Sequence, residues 1–141
     1  KSAVETREPA PDFSLELFDG STFQLSDHRG KPVLINFFAS WCAPCKEEIP
    51  ALENIGQEYG AKGVVFLAIA VNDSEEKARL FLDNLGLSFS AGIDKTNSVQ
   101  EAFGVYGLPT TYFIDKEGIT NYLHAGIVTE ELLRYELDKL L

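Results

Sequence analysis

The sequence predicts an α/β fold in which a central mixed β-sheet is flanked by helices on both faces. Residues 33–38 (VLINFF) are apolar apart from Asn36, and residues 64–71 (VVFLAIAV) are wholly apolar, as expected of strands buried on both faces of a sheet. Between them, residues 44–59 repeat apolar side chains at three- and four-residue spacing, which predicts the crossover helix that parallel strands need. Residues 110–124 contain two strand patterns around a turn and predict an antiparallel hairpin.

Turn and capping residues predict the remaining elements. In chain order these are an N-terminal β-hairpin over residues 13–25, a helix over 74–85, a short helix over 97–103 and a C-terminal helix over 129–141. Ser74 and Gly86 suit the N-cap and the stop of the second helix, and Thr129 suits the N-cap of the last. Pro50 is expected to kink the crossover helix, because proline removes one backbone hydrogen bond.

Length and composition predict a single domain over residues 11–141. A chain of 141 residues buries enough surface to fold without a disulfide framework or a structural metal. Residues 1–10 (KSAVETREPA) are polar and mixed in charge, and we interpret them as a linker left after removal of an export or anchor segment. The longest apolar run is far shorter than the ~20 residues of a membrane-spanning helix, so any membrane anchor is expected upstream of Lys1.

The charge balance excludes polyanionic partners. The chain has 22 Asp and Glu residues against 12 Lys and Arg residues, a formal charge of −10, and no run of basic residues. A nucleic-acid backbone would be repelled, and so would an anionic membrane surface. We therefore expect neither as a direct partner.

The chemistry is predicted at Cys42 and Cys45, which lie where the strand over residues 33–38 gives way to the crossover helix. Unpaired backbone N–H groups at a helix N-terminus favour a thiolate, the attacking species in disulfide exchange. Two intervening residues leave the sulfurs close enough to form and open a disulfide. Cys42, at the exposed end of the helix, is expected to attack, and Cys45, one turn in, to resolve. Pro44 preorganises the first helical turn.

Three other roles for the pair remain open from sequence. A structural disulfide closing so short a loop would contribute little stability. A zinc site would need further ligands, and the remaining candidates, His28 and His124, are single and far apart. Burial of both cysteines in the core does not suit a strand-to-helix junction. We favour the redox role, with the Cys42–Cys45 disulfide itself as the redox centre and with no cofactor or metal.

Two segments resemble the signatures of the thioredoxin superfamily: residues 41–45 (WCAPC) after a buried strand, and residues 107–111 (GLPTT) before another. Further features resemble its TlpA/ResA branch of extracytoplasmic thiol–disulfide oxidoreductases. They are the segments APDFSLELFDG, NFFAS and KEEIP and the central insertion over residues 71–94. The resemblance covers residues 9–141 and implies a thioredoxin-like fold with an N-terminal β-hairpin and a central αβ insertion.

The resemblance also implies an activity and partners. Members of this branch are periplasmic or otherwise extracytoplasmic reductases of protein disulfides, usually tethered to the membrane upstream, and in several the substrate is apocytochrome c. The implied partners are a disulfide-containing protein substrate and an upstream thiol reductant embedded in the membrane. Pro44 stands between the cysteines where thioredoxin and the reducing members have a proline, which favours a reductase over a strong oxidant.

Further site residues are implied by the same resemblance. Pro109 matches the family's cis-proline, which lies opposite the cysteine pair, and Leu108 matches the residue whose backbone pairs with the substrate chain. Trp41 matches a residue that shields the pair and offers an apolar contact surface to an unfolded substrate. These three residues are therefore expected to bind substrate.

Asn36 marks a departure from thioredoxin itself, which has a buried acid six residues before its first cysteine. Glu48 is the expected substitute, because it follows Cys45 by three residues on the same helix face and the TlpA/ResA branch commonly has Glu there. We expect Glu48 to be partly buried with a raised pKa and to exchange the proton of Cys45. The alternative is an exposed glutamate beside Glu47.

Two other functions remain open. Peroxiredoxins have a similar N-terminal outline, but Ile35 and Ala39 stand where they have a proline and a Thr or Ser ahead of the reactive cysteine. Sco-type copper carriers share the fold and use two cysteines with a distant histidine, a place that His124 could take, yet three residues rather than two separate their cysteines. Turnover of hydrogen peroxide would support the first, and copper(I) binding that is lost in His124→Ala the second.

Overall fold

The computed structural model describes residues 3–141, with side chains from residue 7 onward. Over this range the elements are, in chain order, β1 (Ala3–Pro9), β2 (Ser14–Glu16), β3 (Thr22–Gln24), a 3-10 helix (Leu25–His28), β4 (Val33–Phe38), α1 (Ala43–Gly60), β5 (Val65–Ala70), α2 (Glu75–Leu85), β6 (Ser90–Ile93), α3 (Ser98–Phe103), β7 (Thr110–Ile114), β8 (Ile119–Ala125) and α4 (Glu130–Leu140). Every helix and strand predicted from the sequence is present within a few residues of its expected bounds.

Six strands form one mixed sheet in the order β1-β8-β7-β4-β5-β6, and β2 and β3 form a separate antiparallel hairpin. The two apolar strands β4 and β5 pair in parallel, from Val33 opposite Val65 to Phe38 opposite Ala70. β7 runs antiparallel both to β4 and to β8. The predicted parallel pair and antiparallel hairpin are both confirmed, and they put β4 in the interior of the sheet.

The side chains of β4 alternate between two apolar clusters, one on each face of the sheet. Leu34 and Phe38 belong to the cluster that α1, α2 and α4 cover, whereas Ile35 and Phe37 belong to the cluster that the β2–β3 hairpin and α3 cover. The predicted arrangement of helices on both faces is therefore confirmed. By the same alternation, Asn36 faces α1.

The interpretation of residues 1–10 as a linker is wrong over Ala3–Pro9, which form β1 antiparallel to β8 at the edge of the sheet. An edge strand has one strand neighbour and tolerates polar residues and proline, so it need not show the apolar pattern that identifies buried strands. The periodicity of the sequence also gives no sign of β6 (SAGI), the short strand that completes the αβ insertion implied by the resemblance.

The predicted helix caps are present. The Ser74 hydroxyl accepts from the N–H of Lys77 at 3.2 Å, the Thr129 hydroxyl accepts from the N–H of Leu132 at 3.1 Å, and Gly86 closes α2 in the left-handed conformation. The proline expected to kink α1 lies on its exposed side, and the helix continues through it. Among the helices described, none combines the length and the apolar content needed to cross a bilayer.

Candidate active site

Cys42 and Cys45 are joined by a disulfide at the N-terminus of α1, with their Cα atoms 5.3 Å apart. Cys42 is the N-cap of the helix, and its sulfur accepts from the backbone N–H of Cys45 at 3.3 Å. Pro44 lies in the first turn, where a missing N–H costs no helical hydrogen bond. The helix end thus provides a backbone donor to the Cys42 sulfur, as a thiolate at this position would require.

Cys42 is reached from solvent through two clefts that meet at Trp41. The first, of about 360 Å³, lies between Trp41 and the loop that precedes β7. The second, of about 520 Å³, lies between Trp41 and the apolar side chains of Phe81 and Leu85 on α2. Cys42 lines both clefts and is 6% exposed, whereas Cys45 is wholly buried. The two sulfurs therefore differ in access in the direction expected from their positions on the helix.

Trp41 is held in place although 63% of its surface is exposed. Its indole N–H donates to the carbonyl of Asn72, which follows β5, at 2.8 Å. The next residue, Asp73, accepts from the backbone N–H of Ser40 at 2.6 Å and from the Ser40 hydroxyl at 2.8 Å. Sequence reasoning missed Asp73, although a signal existed: parallel β4 and β5 end at the same edge of the sheet, so the residues that follow them lie side by side.

The loop before β7 forms the wall of the first cleft opposite Trp41. The peptide bond between Leu108 and Pro109 is cis, as the resemblance implies. Leu108 lines the cleft together with Tyr106, which is 97% exposed. Pro109 is buried, and its carbonyl accepts from the N–H of Gly126 at 2.8 Å. The structure thus brings Trp41 and Leu108 to one cleft beside Cys42, whereas Pro109, next in the chain, is buried and does not line the cleft.

Glu48 is wholly buried between α1, β4 and the loop that connects β8 to α4. Its Oε2 accepts from the amide of Asn36 at 2.7 Å, and its Oε1 accepts from the backbone N–H of Val128 at 3.2 Å. The same Asn36 amide nitrogen donates to the hydroxyl of Thr111 on β7 at 3.0 Å. The neighbouring Glu47 is exposed, so the two glutamates have opposite environments.

Burial raises the pKa of Glu48 from its ordinary 4.5 to about 7, and the hydrogen bonds from Asn36 and Val128 oppose this rise without cancelling it. Glu48 is buried more completely than the partial burial expected, its raised pKa agrees with the expectation, and the exposed alternative is wrong. A carboxyl group with a pKa near neutrality can both take and give a proton at physiological pH.

The metal-binding alternatives find no site in the part of the chain that the structure describes. Within residues 7–141, no group of three or more His, Cys, Asp or Glu side chains is arranged to hold a metal ion. His28 stacks on the ring of Phe23, and His124 stacks on Tyr122. Each histidine ring thus packs on an aromatic ring, and neither histidine lines the two clefts at Cys42.

Comparison with known proteins identifies the family. Residues 6–123 match the AhpC/TSA family. The thiol–disulfide oxidoreductase ResA of Geobacillus thermodenitrificans is 36% identical over 140 residues, which are 99% of this chain and 80% of the relative. The chain belongs to the AhpC/TSA family, in its ResA-type branch.

Solved structures agree with this membership. A thiol:disulfide interchange protein DsbE assigned in Chlorobium tepidum superposes with a TM-score of 0.89 at 29% identity, covering 97% of this chain and 98% of the other. A secreted thiol-disulfide isomerase of Corynebacterium glutamicum also has a TM-score of 0.89, at 26% identity and 99% and 92% coverage. The fold of this ResA-type protein is therefore thioredoxin-like, and the protein is a thiol–disulfide oxidoreductase that acts on disulfide-containing partners.

The ResA-type relatives are named for disulfide exchange, and neither the peroxidase nor the copper-carrier alternative is favoured by them. The departures noted from sequence agree with this. Ile35 and Ala39 lie on and just after β4, where both are buried in the core and offer no polar group to a peroxide.

Proposed function

We propose that this protein reduces disulfide bonds in exported proteins, apocytochrome c among them, on the outer side of the cytoplasmic membrane. The observation that carries the proposal is the difference between the two sulfurs: Cys42 lines two open clefts, whereas Cys45 is buried one turn behind it. Only one sulfur is accessible to a bulky protein disulfide, and the other is within bonding distance of the first.

The reaction proceeds in two exchanges. The Cys42 thiolate attacks one sulfur of the substrate disulfide, forming a mixed disulfide and releasing the other substrate sulfur as a thiolate that takes up a proton. Cys45, once deprotonated, attacks the Cys42 sulfur, releases the second substrate thiolate and leaves the Cys42–Cys45 disulfide. Two electrons pass to the substrate, and the enzyme disulfide is itself the redox centre, with no other cofactor.

Glu48 exchanges the proton of Cys45 in the second step. The residue lies three positions after Cys45 on α1, and its pKa of about 7 lets the ionised carboxylate accept the thiol proton. Asn36 supports both protonation states, because its amide N–H₂ donates to the carboxylate and its amide oxygen, which has no hydrogen-bond partner among the described residues, can accept from the protonated acid. Asn36 therefore acts as a supporting residue that cannot itself take the proton.

Substrate binds across the first cleft. Trp41 and Leu108 offer apolar contacts on its two sides, and the backbone that leads from Leu108 into Pro109 pairs with an extended substrate chain. Pro44 fixes the helical turn on which the attacked sulfur is presented. Apolar segments that an unfolded protein leaves exposed to water match this surface.

A thiol reductant embedded in the membrane restores the dithiol after each cycle, and an anchor upstream of Lys1 keeps the domain beside it. A relative described as secreted supports an extracytoplasmic location.

The reduction potential of the Cys42–Cys45 pair tests the direction of electron flow. Equilibration against a glutathione series, with the dithiol fraction read by Trp41 fluorescence or thiol alkylation, should give a value of about −200 mV or lower. A value near about −120 mV, the range of a dedicated oxidant, would contradict the reductase assignment.

A further inference from the structure

One peptide group links Glu48 to a histidine that the proposed mechanism does not use. The N–H of Val128 donates to Oε1 of Glu48 at 3.2 Å. The carbonyl of Ile127, the other end of the same peptide group, lies 3.2 Å from Nε2 of His124. A donor on the carbonyl side polarises an amide and strengthens the hydrogen bond made by its N–H.

The hydrogen bonds of His124 fix its tautomer. The Ile127 carbonyl can only accept, so Nε2 must carry the hydrogen. In the neutral ring Nδ1 is then an acceptor, and it lies 3.2 Å from the hydroxyl of Tyr122, which can donate. The His124 ring also stacks on Tyr122 with an interplanar angle of 25°. The imidazole is thus held in the orientation that directs its N–H at Ile127.

The loop that this histidine contacts has no helix or strand of its own to fix it. It connects β8 to α4, and Gly126 at its start has φ of 114°, which glycine adopts readily. The Gly126 N–H is bound to the carbonyl of Pro109 at 2.8 Å, so the loop touches both the substrate-cleft loop and the buried carboxyl group. Its hydrogen bonds to neighbouring elements are what determine where the Val128 N–H points.

We infer that His124 is a positioning residue for Glu48: its Nε2–H holds the Ile127–Val128 peptide so that the Val128 N–H stays on the carboxylate. The Glu48 carboxyl group has uncharged hydrogen-bond donors, and Tyr122 is a titratable side chain in contact with His124. Asn36 of β4 is the other hydrogen-bond donor to Glu48, and the residues opposite His124 are Thr111 on β7 and Ala3 on β1. The inference about the hydrogen bond is independent of the mechanism, whereas its effect on catalysis rests on the proposed role of Glu48.

The test is a ¹³C NMR titration of the Glu48 carboxyl group in the oxidised protein, with its signal identified by its loss in Glu48→Gln. In His124→Leu the proton affinity of Glu48 should rise about threefold or more, because a weakened hydrogen bond stabilises the carboxylate less. His124→Gln keeps an N–H at a similar distance from the backbone. The proton affinity of Glu48 in this variant should therefore lie close to the wild-type value. His28→Leu, which removes the histidine stacked on Phe23, is the matched control and should change nothing.

An unchanged proton affinity of Glu48 in a folded His124→Leu protein would overturn the inference. A rise in this affinity that is as large in His124→Gln as in His124→Leu would overturn it too. A second readout separates this inference from the mechanism. In one outcome, His124→Leu changes the proton affinity of Glu48 but leaves the pH dependence of the Cys45 resolution step unchanged. The link from His124 through the Ile127–Val128 peptide to Glu48 is then real, and the proposed role of Glu48 in proton exchange fails.

Discussion

Replacing Cys42 by serine should lower the reduction of insulin disulfides to the rate of the thiol reductant alone. Cys42 is the sulfur that lines the clefts, and a hydroxyl at this position cannot form the mixed disulfide. Cys45, wholly buried, is not positioned to replace it. The measurement is insulin turnover with a fixed concentration of dithiothreitol, with and without the variant.

Cys45→Ser is the matched control for this prediction, because it removes the other sulfur and keeps the attacking one. It should release close to one equivalent of substrate thiol per protein in a single burst and then stop, whereas Cys42→Ser should show no burst. Turnover by Cys42→Ser above the reductant background would contradict the assignment of Cys42 as the attacking residue.

Replacing Glu48 by glutamine should slow the resolution step about 100-fold at pH 8, the size expected for loss of a positioned general base. In the wild-type protein the rate of this step should rise as the pH passes through about 7, where Glu48 becomes ionised and able to accept the Cys45 proton. The variant should lose this rise. Rapid-mixing measurement of substrate thiol release after mixed-disulfide formation gives the rate.

The same raised pKa predicts how stability depends on pH. In the unfolded chain Glu48 releases its proton near 4.5, whereas in the folded protein it keeps the proton until about pH 7, so the folded state binds more protons between these values. Glu48 therefore lowers the free energy of unfolding as the pH rises through this window, by ~3 kcal/mol in all. The difference between wild type and Glu48→Gln, measured by denaturant unfolding at pH 4.5 and pH 8, isolates this contribution.

Glu47→Gln is the matched control for both measurements, because it removes the adjacent, exposed glutamate from the same helix. It should leave the pH profile of resolution and the pH dependence of stability as in the wild type. Equal effects of Glu47→Gln and Glu48→Gln would mean that helix charge, and not the buried carboxyl group, governs the step.

The elements with strong local patterns were predictable, and those determined by their neighbours were not. The buried strands β4 and β5 begin and end within a residue of their predicted bounds, since long apolar runs between turn residues allow few alternatives. β1 is polar and β6 has only four residues, so neither carries a pattern of its own. β1 is a strand because it pairs with β8, and β6 because it pairs with β5, and sequence periodicity does not record such pairing.

The candidate site was likewise predictable only where local sequence determines it. Cys42 and Cys45 follow from their position at a strand-to-helix junction, and helical spacing puts Glu48 on the face of Cys45. The contacts made across the chain were not predictable, because they join residues of separate loops. Asp73 binding to Ser40 and the peptide between His124 and Glu48 are two examples. A polar Asn36 in a buried strand was the one local sign that α1 carries a polar partner.

The central claim is that Cys42 attacks the substrate disulfide and Cys45 resolves the mixed disulfide. Identifying which of the two sulfurs carries the covalent intermediate tests this claim most directly. The Cys45→Ser variant is mixed with a disulfide-containing peptide, quenched in acid, digested without reduction and analysed by mass spectrometry, and Cys42→Ser is treated in the same way. The two-step reaction predicts an adduct on Cys42 in the first variant and none on Cys45 in the second within the same time. An adduct on Cys45 that forms as fast as the one on Cys42 would contradict it.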